Sequence, residues 1–428
     1  MRRRNFLFLF FLIAFNSCSL LEGDSTDDDS TVGTSDPLGK EVADAKDFYS
    51  KQGAQFKFRV YAFNGDLNNR HEMYIRKLFE KNGKLSFISE SFTSFGGTSY
   101  THKVNTTSEL ILDPVFGGNF LHPGNENEIT SDDQLISYNY GSNLVSHGSY
   151  GNSRGVLHNH STQKYQQIVM TTSDQGYMFS LKGKTFVLSM GLNSNTGRPS
   201  LFTFVPGPTP AQDRWDLTDL NDIRNVGINF TNDASKAGNP NKIFWTWISY
   251  NAVNTTDGKL HVVSFDGTSF SSITSKSIGK VGETLSMEKK HNMYLYKNPN
   301  NPDQPYIVIR RWDNQNILDI YNYTGSGIET VAEGVNLPTT LPASNGVTRE
   351  FKDIAFTGSN VYMIARQDDK LYKLKGKEWE VIGKNLLAGQ NQFTALEGGA
   401  DGLYAGISYL LEEGNLIRIA ADVVFLKN

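Results

Sequence analysis

The chain has 428 residues, with 41 Lys plus Arg against 45 Asp plus Glu, a formal net charge of −4 and one cysteine, Cys18. Past its first few residues the chain is mildly acidic with no basic cluster, which argues against nucleic acid as a partner. One cysteine leaves no intrachain disulfide to staple the fold.

In chain order, the first feature is a leader. Arg2, Arg3 and Arg4 precede an almost wholly apolar run from Phe6 to Phe15, and Asn16-Ser17-Cys18 follows. The run is shorter than the roughly 20 residues that span a bilayer. The pattern resembles a bacterial lipoprotein signal peptide, with Phe15 standing where that family usually has leucine. The resemblance implies that residues 1–17 are removed and that Cys18 takes a diacylglycerol, with the membrane as partner through this anchor. It implies a cell-envelope address as an outer-membrane lipoprotein, facing inward or displayed on the surface. Loss of the three leader arginines takes the net charge to −7 (−4 minus 3).

Residues 18–50 read as a lipidated cysteine followed by an acidic, Ser/Thr/Asp-rich, disordered tether. Asp24-Ser-Thr-Asp-Asp-Asp-Ser-Thr31 and Val32-Gly-Thr-Ser-Asp-Pro37 offer little to bury and repel themselves. Acid close behind Cys18 resembles the surface-export signal of Bacteroidetes lipoproteins. Asp24-Ser25-Thr26 and Asp29-Ser30-Thr31 resemble the O-glycosylation acceptor of that phylum.

Residues 51–428 contain no long segment of helical periodicity. Short alternating runs rich in Val, Ile, Phe, Tyr and Thr recur instead, punctuated by Gly, Asn and Asp. The clearest unit predicts four strands, Asp353–Thr357, Val361–Arg366, Lys370–Leu374 and Glu378–Ile382, joined by short turns that force antiparallel pairing. Its second half recurs with turns at 83, 141, 207, 267, 325, 376 and 422, at intervals of 46 to 66 residues. One such meander cannot bury both faces, whereas several arranged radially cover one another. The pattern resembles a β-propeller. The expected fold is all-β: a single propeller, most simply of seven blades with four antiparallel strands each. Six or eight blades are compatible with the two degenerate N-terminal units, and a pair of β-sandwiches is the alternative. Ring closure is expected between Val423–Leu426 and a strand near Phe56–Phe63.

Candidate binding residues are few. Phe244-Trp245-Thr246-Trp247-Ile248 places both tryptophans on one strand face, where a ring can stack on a sugar or a planar ligand or pack between blades. Arg310-Arg311-Trp312-Asp313 ends the corresponding strand of the next unit, and Arg366 with Asp368 and Asp369 ends that of the unit after. These ends share a rim. His158 and His160 share a face if extended and form a weak candidate metal pair, with His147 or His122 as further donors. The oxygen-rich stretches Asn229–Asn241 and Asn298–Asp303 suit calcium or another divalent metal, or plain turns. Thr172-Ser-Asp-Gln-Gly176-Tyr-Met-Phe179 resembles one Asp-box of sialidase-type propellers, itself a turn device.

No hydrolase elbow, phosphate loop, dinucleotide fingerprint or zinc-protease motif is present. No catalytic residue and no cofactor are assigned. The chain therefore reads as a binding module rather than an enzyme, for a carbohydrate, a nutrient carrier or another small ligand, or an outer-membrane partner protein. A secreted carbohydrate-active hydrolase or lyase on the same scaffold is one alternative, and a structural envelope component is another.

Overall fold

A computed structural model describes residues 36–63, 70–81, 84–92, 98–104, 109–112, 135–139, 153–159, 164–170, 177–181, 184–189, 200–204, 214–216, 229–230, 241–249, 258–279, 293–311, 314–339, 341, 343–344, 348–349, 351–358, 360–365, 370–383, 385–387, 391–413 and 416–428. The leader, Cys18 and the Ser/Thr/Asp-rich stretch through Ser35 lie outside these residues.

The body opens with a helix, α1 (Pro37–Lys51), where composition leads to the expectation of a disordered tether. The Asp36 side chain caps it by accepting from the Leu38 amide at 3.2 Å, and Pro37 occupies the first turn, where its missing N–H costs nothing. Leu38, Val42, Ala45 and Tyr49 recur at helical spacing and are buried. A tether over 37–50 is thus corrected. Four apolar side chains in a polar sequence suffice once a sheet is there to receive them.

β1 (Gln55–Phe63) follows the helix. β2 (Arg70–Lys81), β3 (Lys84–Phe92) and β4 (Thr98–Val104) form an antiparallel meander, and β5 (Leu110–Leu112) lies parallel beside β1. β6 (Leu135–Asn139), β7 (Ser153–Asn159) and β8 (Lys164–Met170) form a second meander.

Three four-stranded meanders come next. The first is β9 (Tyr177–Leu181), β10 (Lys184–Ser189), β11 (Ser200–Phe204) and β12 (Arg214–Asp216). The second is β13 (Asn229–Phe230), β14 (Ile243–Ser249), β15 (Gly258–Phe265) and β16 (Thr274–Gly279). The third is β17 (Met293–Tyr296), β18 (Tyr306–Arg310), β19 (Ile317–Tyr323) and β20 (Ile328–Asn336).

After a small hairpin of β21 (Ala343–Ser344) and β22 (Thr348–Arg349), β23 (Phe351–Thr357), β24 (Asn360–Ala365), β25 (Leu371–Lys375) and β26 (Glu378–Ile382) form a fourth. The four strands expected in this unit are these four. β27 (Gln392–Gly398), β28 (Gly402–Glu413) and β29 (Leu416–Lys427) then make three strands of the last sheet.

β1 lies next in that sheet and pairs at its far end with β2, so the sheet runs on through β3 and β4, with β5 beside β1, to eight strands. Phe56 pairs with Val424, Phe58 with Val423, Arg59 with Asp422 and Val60 with Ala421. The first strand of the body thus pairs with the last one, joining the two ends of the chain in one sheet. Successive meanders closed in this way make a β-propeller, and the closing segments are those the sequence indicates. One expected turn is absent. Asp422 lies inside β29, buried and ion-paired to Arg59, so a carboxylate that reads as a turn residue is accommodated in a strand. Gly267, Gly325 and Gly376 do adopt positive φ, of 99°, 90° and 66°.

The core lies between sheets. Along β24, Val361, Met363 and Ala365 pack on Val308, Leu318 and Ile320 of the preceding sheet, while Tyr362 and Ile364 join Phe393, Leu403 and Ile407 of the following one. Period-two alternation therefore serves two cores, and middle strands such as β18 read as nearly continuous apolar runs. Outer strands show the contrast. Residues of β16 alternate between half-buried and exposed, and Glu378 and Glu380 place charge along the edge strand β26.

Candidate functional site

The first strands β17, β23 and β27 lie side by side, and β27 also touches β2. At their C-terminal ends they are tied together. Lys297, just after β17, pairs with Glu397 of β27 at 3.6 Å, with side chains 12% and 8% exposed. The pair thus links the first and third of three consecutive sheets, across β23. The β27 backbone also abuts β23 at Gly398, where a Cβ would lie 1.7 Å from the carbonyl oxygen of Phe356. At the opposite rim the first strands begin and second strands turn into third strands.

On that rim, Arg310 ends β18. Its guanidinium stands 5.9 Å over the Phe351 ring at the start of β23, and its Nε donates to the carbonyl of Gln315 at 2.5 Å. Tyr294 of β17 meets Phe351 edge-on, with centroids 5.4 Å apart at 71°. A guanidinium and two rings from adjoining sheets therefore converge. Both rings are only partly buried, whereas Arg310 is itself buried at 7% exposure. The exposed parts of such rings can stack on a sugar or a planar group, and the buried guanidinium holds Phe351 in place from behind.

Arg311 points elsewhere, as strand alternation requires. Its Nε and Nη2 donate to Asp319 of β19 at 2.6 and 2.9 Å, and the Gly334 amide donates to the same carboxylate at 2.7 Å. This fork holds β19 and the bulged β20 together. Arg311 thus has a structural role, separate from Arg310. Trp312 and Arg366 lie outside the described residues, as do Asp313, Asp368 and Asp369.

The tryptophans do not line a surface. Trp245 and Trp247 are 4% and 0% exposed. Trp245 stacks on Phe270 at 5.8 Å, and Trp247 stacks on His261 at 5.0 Å and 13°. Their faces are covered by their own sheet, so the expectation of ligand stacking at these two residues is corrected to packing.

His261, which sequence patterning does not single out, sits opposite Trp247 in register and shares a 2.7 Å hydrogen bond between Nδ1 and Ser275 Oγ. Burial, reinforced by Lys259, pushes its pKa down to about 4. The only sequence signal is its place in an alternating strand beside an aromatic cluster.

His158 lies in β7, paired with Ile136 and Tyr165 along the backbone, while its side chain and the whole of His160 lie outside the described residues. His122 and His147 lie outside as well. Among the described residues no three His, Cys, Asp or Glu side chains gather to hold a metal.

The Asn298–Asp303 loop spends its oxygens on its own turns. Asn298 Oδ1 accepts from the Asn300 and Asn301 amides at 3.1 and 3.3 Å, and Asn301 Oδ1 accepts from the Asp303 amide at 3.1 Å. Of Asn229–Asn241 only Asn229, Phe230 and Asn241 are described, and of the Asp-box-like segment only the part within β9.

No protein-family model matches the chain, and no curated protein sequence matches it. Solved structures with a similar strand arrangement include the β-propeller domain of the trilobed protease of Pyrococcus furiosus. It is 9% identical, with a TM-score of 0.41 over 83% of this chain and 98% of that one. An ulvan lyase of a polysaccharide lyase family, solved bound to a GlcA–Rha3S saccharide, is 11% identical, with a TM-score of 0.41 over 82% of this chain and 91% of its own. A subtype N10 neuraminidase-like protein of bat influenza A is 8% identical, with a TM-score of 0.38 over 88% and 100%. None of these likenesses bears on the chemistry of the rim.

Proposed function

We propose that the chain is a cell-envelope lipoprotein, anchored through Cys18, whose seven-bladed propeller binds a ligand at the rim carrying Arg310. The observation that carries this reading is the convergence of Arg310, Phe351 and Tyr294 from two adjoining sheets at one end of the first strands. Aromatic faces beside a guanidinium suit a carbohydrate, a small nutrient carrier or an exposed loop of an outer-membrane protein. Trp312 and Arg366, on the same rim by sequence position, complete the proposed set. In this reading the lipid on Cys18 carries the membrane attachment.

The test is a binding screen on residues 36–428, which keep the Asp36 cap, against glycans and metallophores by calorimetry. Substrate turnover is followed in parallel. A bound ligand should lose at least tenfold in affinity on Phe351→Ala, a ring that is not wholly buried. Turnover at enzymatic rates would replace the binding reading with the hydrolase or lyase alternative. Separately, Cys18→Ser should release the full chain from membranes, and continued membrane association would defeat the anchor.

A further inference from the structure

The chain reaches its closing strand only through α1, and the helix is built into the closure. Tyr49 near its end donates to Asp422 Oδ2 at 2.8 Å. Asp422 in turn takes Arg59 Nε and Nη2 at 2.6 and 2.8 Å, with side chains 4% and 0% exposed for the Arg59–Asp422 pair. Arg59 Nη1 reaches back to the Glu41 carbonyl at 3.4 Å, and the Tyr61 hydroxyl donates to the Glu41 carboxylate.

The apolar contacts follow the same plan. Tyr49 stacks on Phe56 at 6.2 Å, Val42 and Ala45 join a cluster with Leu403 and Val424, and Leu38 meets Tyr61 and Ala420. Lys46 pairs with Glu109 at 2.8 Å, next to β5 on the other edge of β1.

We propose that α1 is a strap fastening the seam between β1 and β29, and that its release opens the ring there. A buried ion pair is worth keeping only while its remaining polar atoms are satisfied and water is excluded. Here both conditions depend on the helix. Tyr49 supplies the third donor to Asp422, and the Glu41 carbonyl supplies an oxygen facing Arg59. With α1 detached, water reaches the pair, Phe56 and Tyr61 lose their cover, and the β1–β29 ladder is held by backbone bonds over a hydrated seam. Covalent order makes this directional, because whatever acts on the chain before Pro37, by pulling or by cleavage, acts on α1 before it acts on β1.

Hydrogen exchange on residues 36–428 tests the strap without any variant. The amides of α1, β1 and β29 should open as one unit with a common opening free energy. Rapid exchange of α1 over a fully protected β1 and β29 would overturn the proposal. Tyr49→Phe, which removes only the donor to Asp422, should speed exchange in β1 and β29 about tenfold or more. Acceleration confined to residues 37–51 would count against the coupling. Should Tyr49→Phe fail to fold, Val42→Ala is the milder probe and should move the same amides together, with acceleration limited to the helix again counting against it.

Discussion

Asp353 of β23 reaches across to the next sheet, where its Oδ2 accepts the backbone amide of Leu396 at 3.0 Å while Oδ1 accepts the Ile354 amide of its own strand at 3.0 Å. Neighbouring first strands in a propeller are not hydrogen-bonded as a ladder, so the amides along their facing edges need other acceptors. A buried carboxylate meets that need and ties two sheets at once. Asp353→Ala should therefore destabilise the protein by about 2–4 kcal/mol, because it takes the acceptor from two buried amides and opens a cavity. Asp353→Asn, which keeps an acceptor toward one amide, should cost less than the alanine variant. Urea denaturation of the three proteins measures the difference.

Gly398 and Gly376 look alike in sequence, yet they should respond differently to a methyl group. At Gly398 a Cβ would sit 1.7 Å from the carbonyl oxygen of Phe356, a backbone atom that cannot move without separating β27 from β23. At Gly376 there is open space, and the cost is only that of holding alanine at φ of 66°. Gly376→Ala should lose about 1–2 kcal/mol and remain folded. Gly398→Ala should lose more than about 3 kcal/mol or fail to accumulate as folded protein. Thermal melts of the pair would show whether close approach or backbone conformation dominates.

The strand content, the four-strand unit at 351–384 and the closing pair of chain ends are all legible in sequence, for a common reason. Alternation and turn residues are local signals, and closure follows because an unpaired last strand needs the first one. What escapes is non-local. The helix α1 has a polar sequence whose four apolar positions matter only against the sheet that covers them. Asp422 reads as a turn because nothing nearby announces that Arg59, more than 360 residues earlier, will neutralise it. Trp245 and Trp247 are indistinguishable in sequence from exposed rings, and only the stacked partners Phe270 and His261 reveal their burial. Arg310 and Arg311 are adjacent, but alternation buries one over Phe351 and sends the other, more exposed, into an ion pair with Asp319. Of the proposed binding set, Phe351 and Tyr294 begin strands without any motif to mark them.

His261 should make stability depend on pH. Its pKa is depressed to about 4 in the folded protein from an ordinary value near 6.5. Between those values the unfolded chain binds the proton that the folded chain refuses. Stability is then fully present above about pH 6.5 and falls as the pH drops toward 4. With allowance for solvent screening of a half-buried ring, the contribution is about 2 kcal/mol. Denaturation at pH 7 and pH 5 should show the loss, and His261→Gln, which cannot take up the proton, should flatten it. An unchanged pH profile in His261→Gln would assign the dependence to other groups.

The Arg59–Asp422 pair allows a sharper test of how the ring is held shut. Burial by itself would lower the Arg59 pKa, but the charge and hydrogen bonds of Asp422 outweigh it and hold the guanidinium above its ordinary value. Removing either partner leaves the other charged in a site that excludes water. Asp422→Ala and Arg59→Ala should each cost about 3–5 kcal/mol. Replacing both, as Arg59→Met with Asp422→Leu, removes the charges together and offers apolar volume to the face under α1, where Val42, Ala45 and Val424 pack. The double variant should therefore be more stable than either single one, with a coupling of about 1–3 kcal/mol in a double-mutant cycle. Tyr49 sets a limit on the recovery. Its hydroxyl would lose Asp422 as acceptor in the double variant, and a further Tyr49→Phe should then restore stability, whereas in the natural protein the same change should reduce it. A reversal of sign at Tyr49 between the two backgrounds is the outcome that an isolated surface ion pair could not produce.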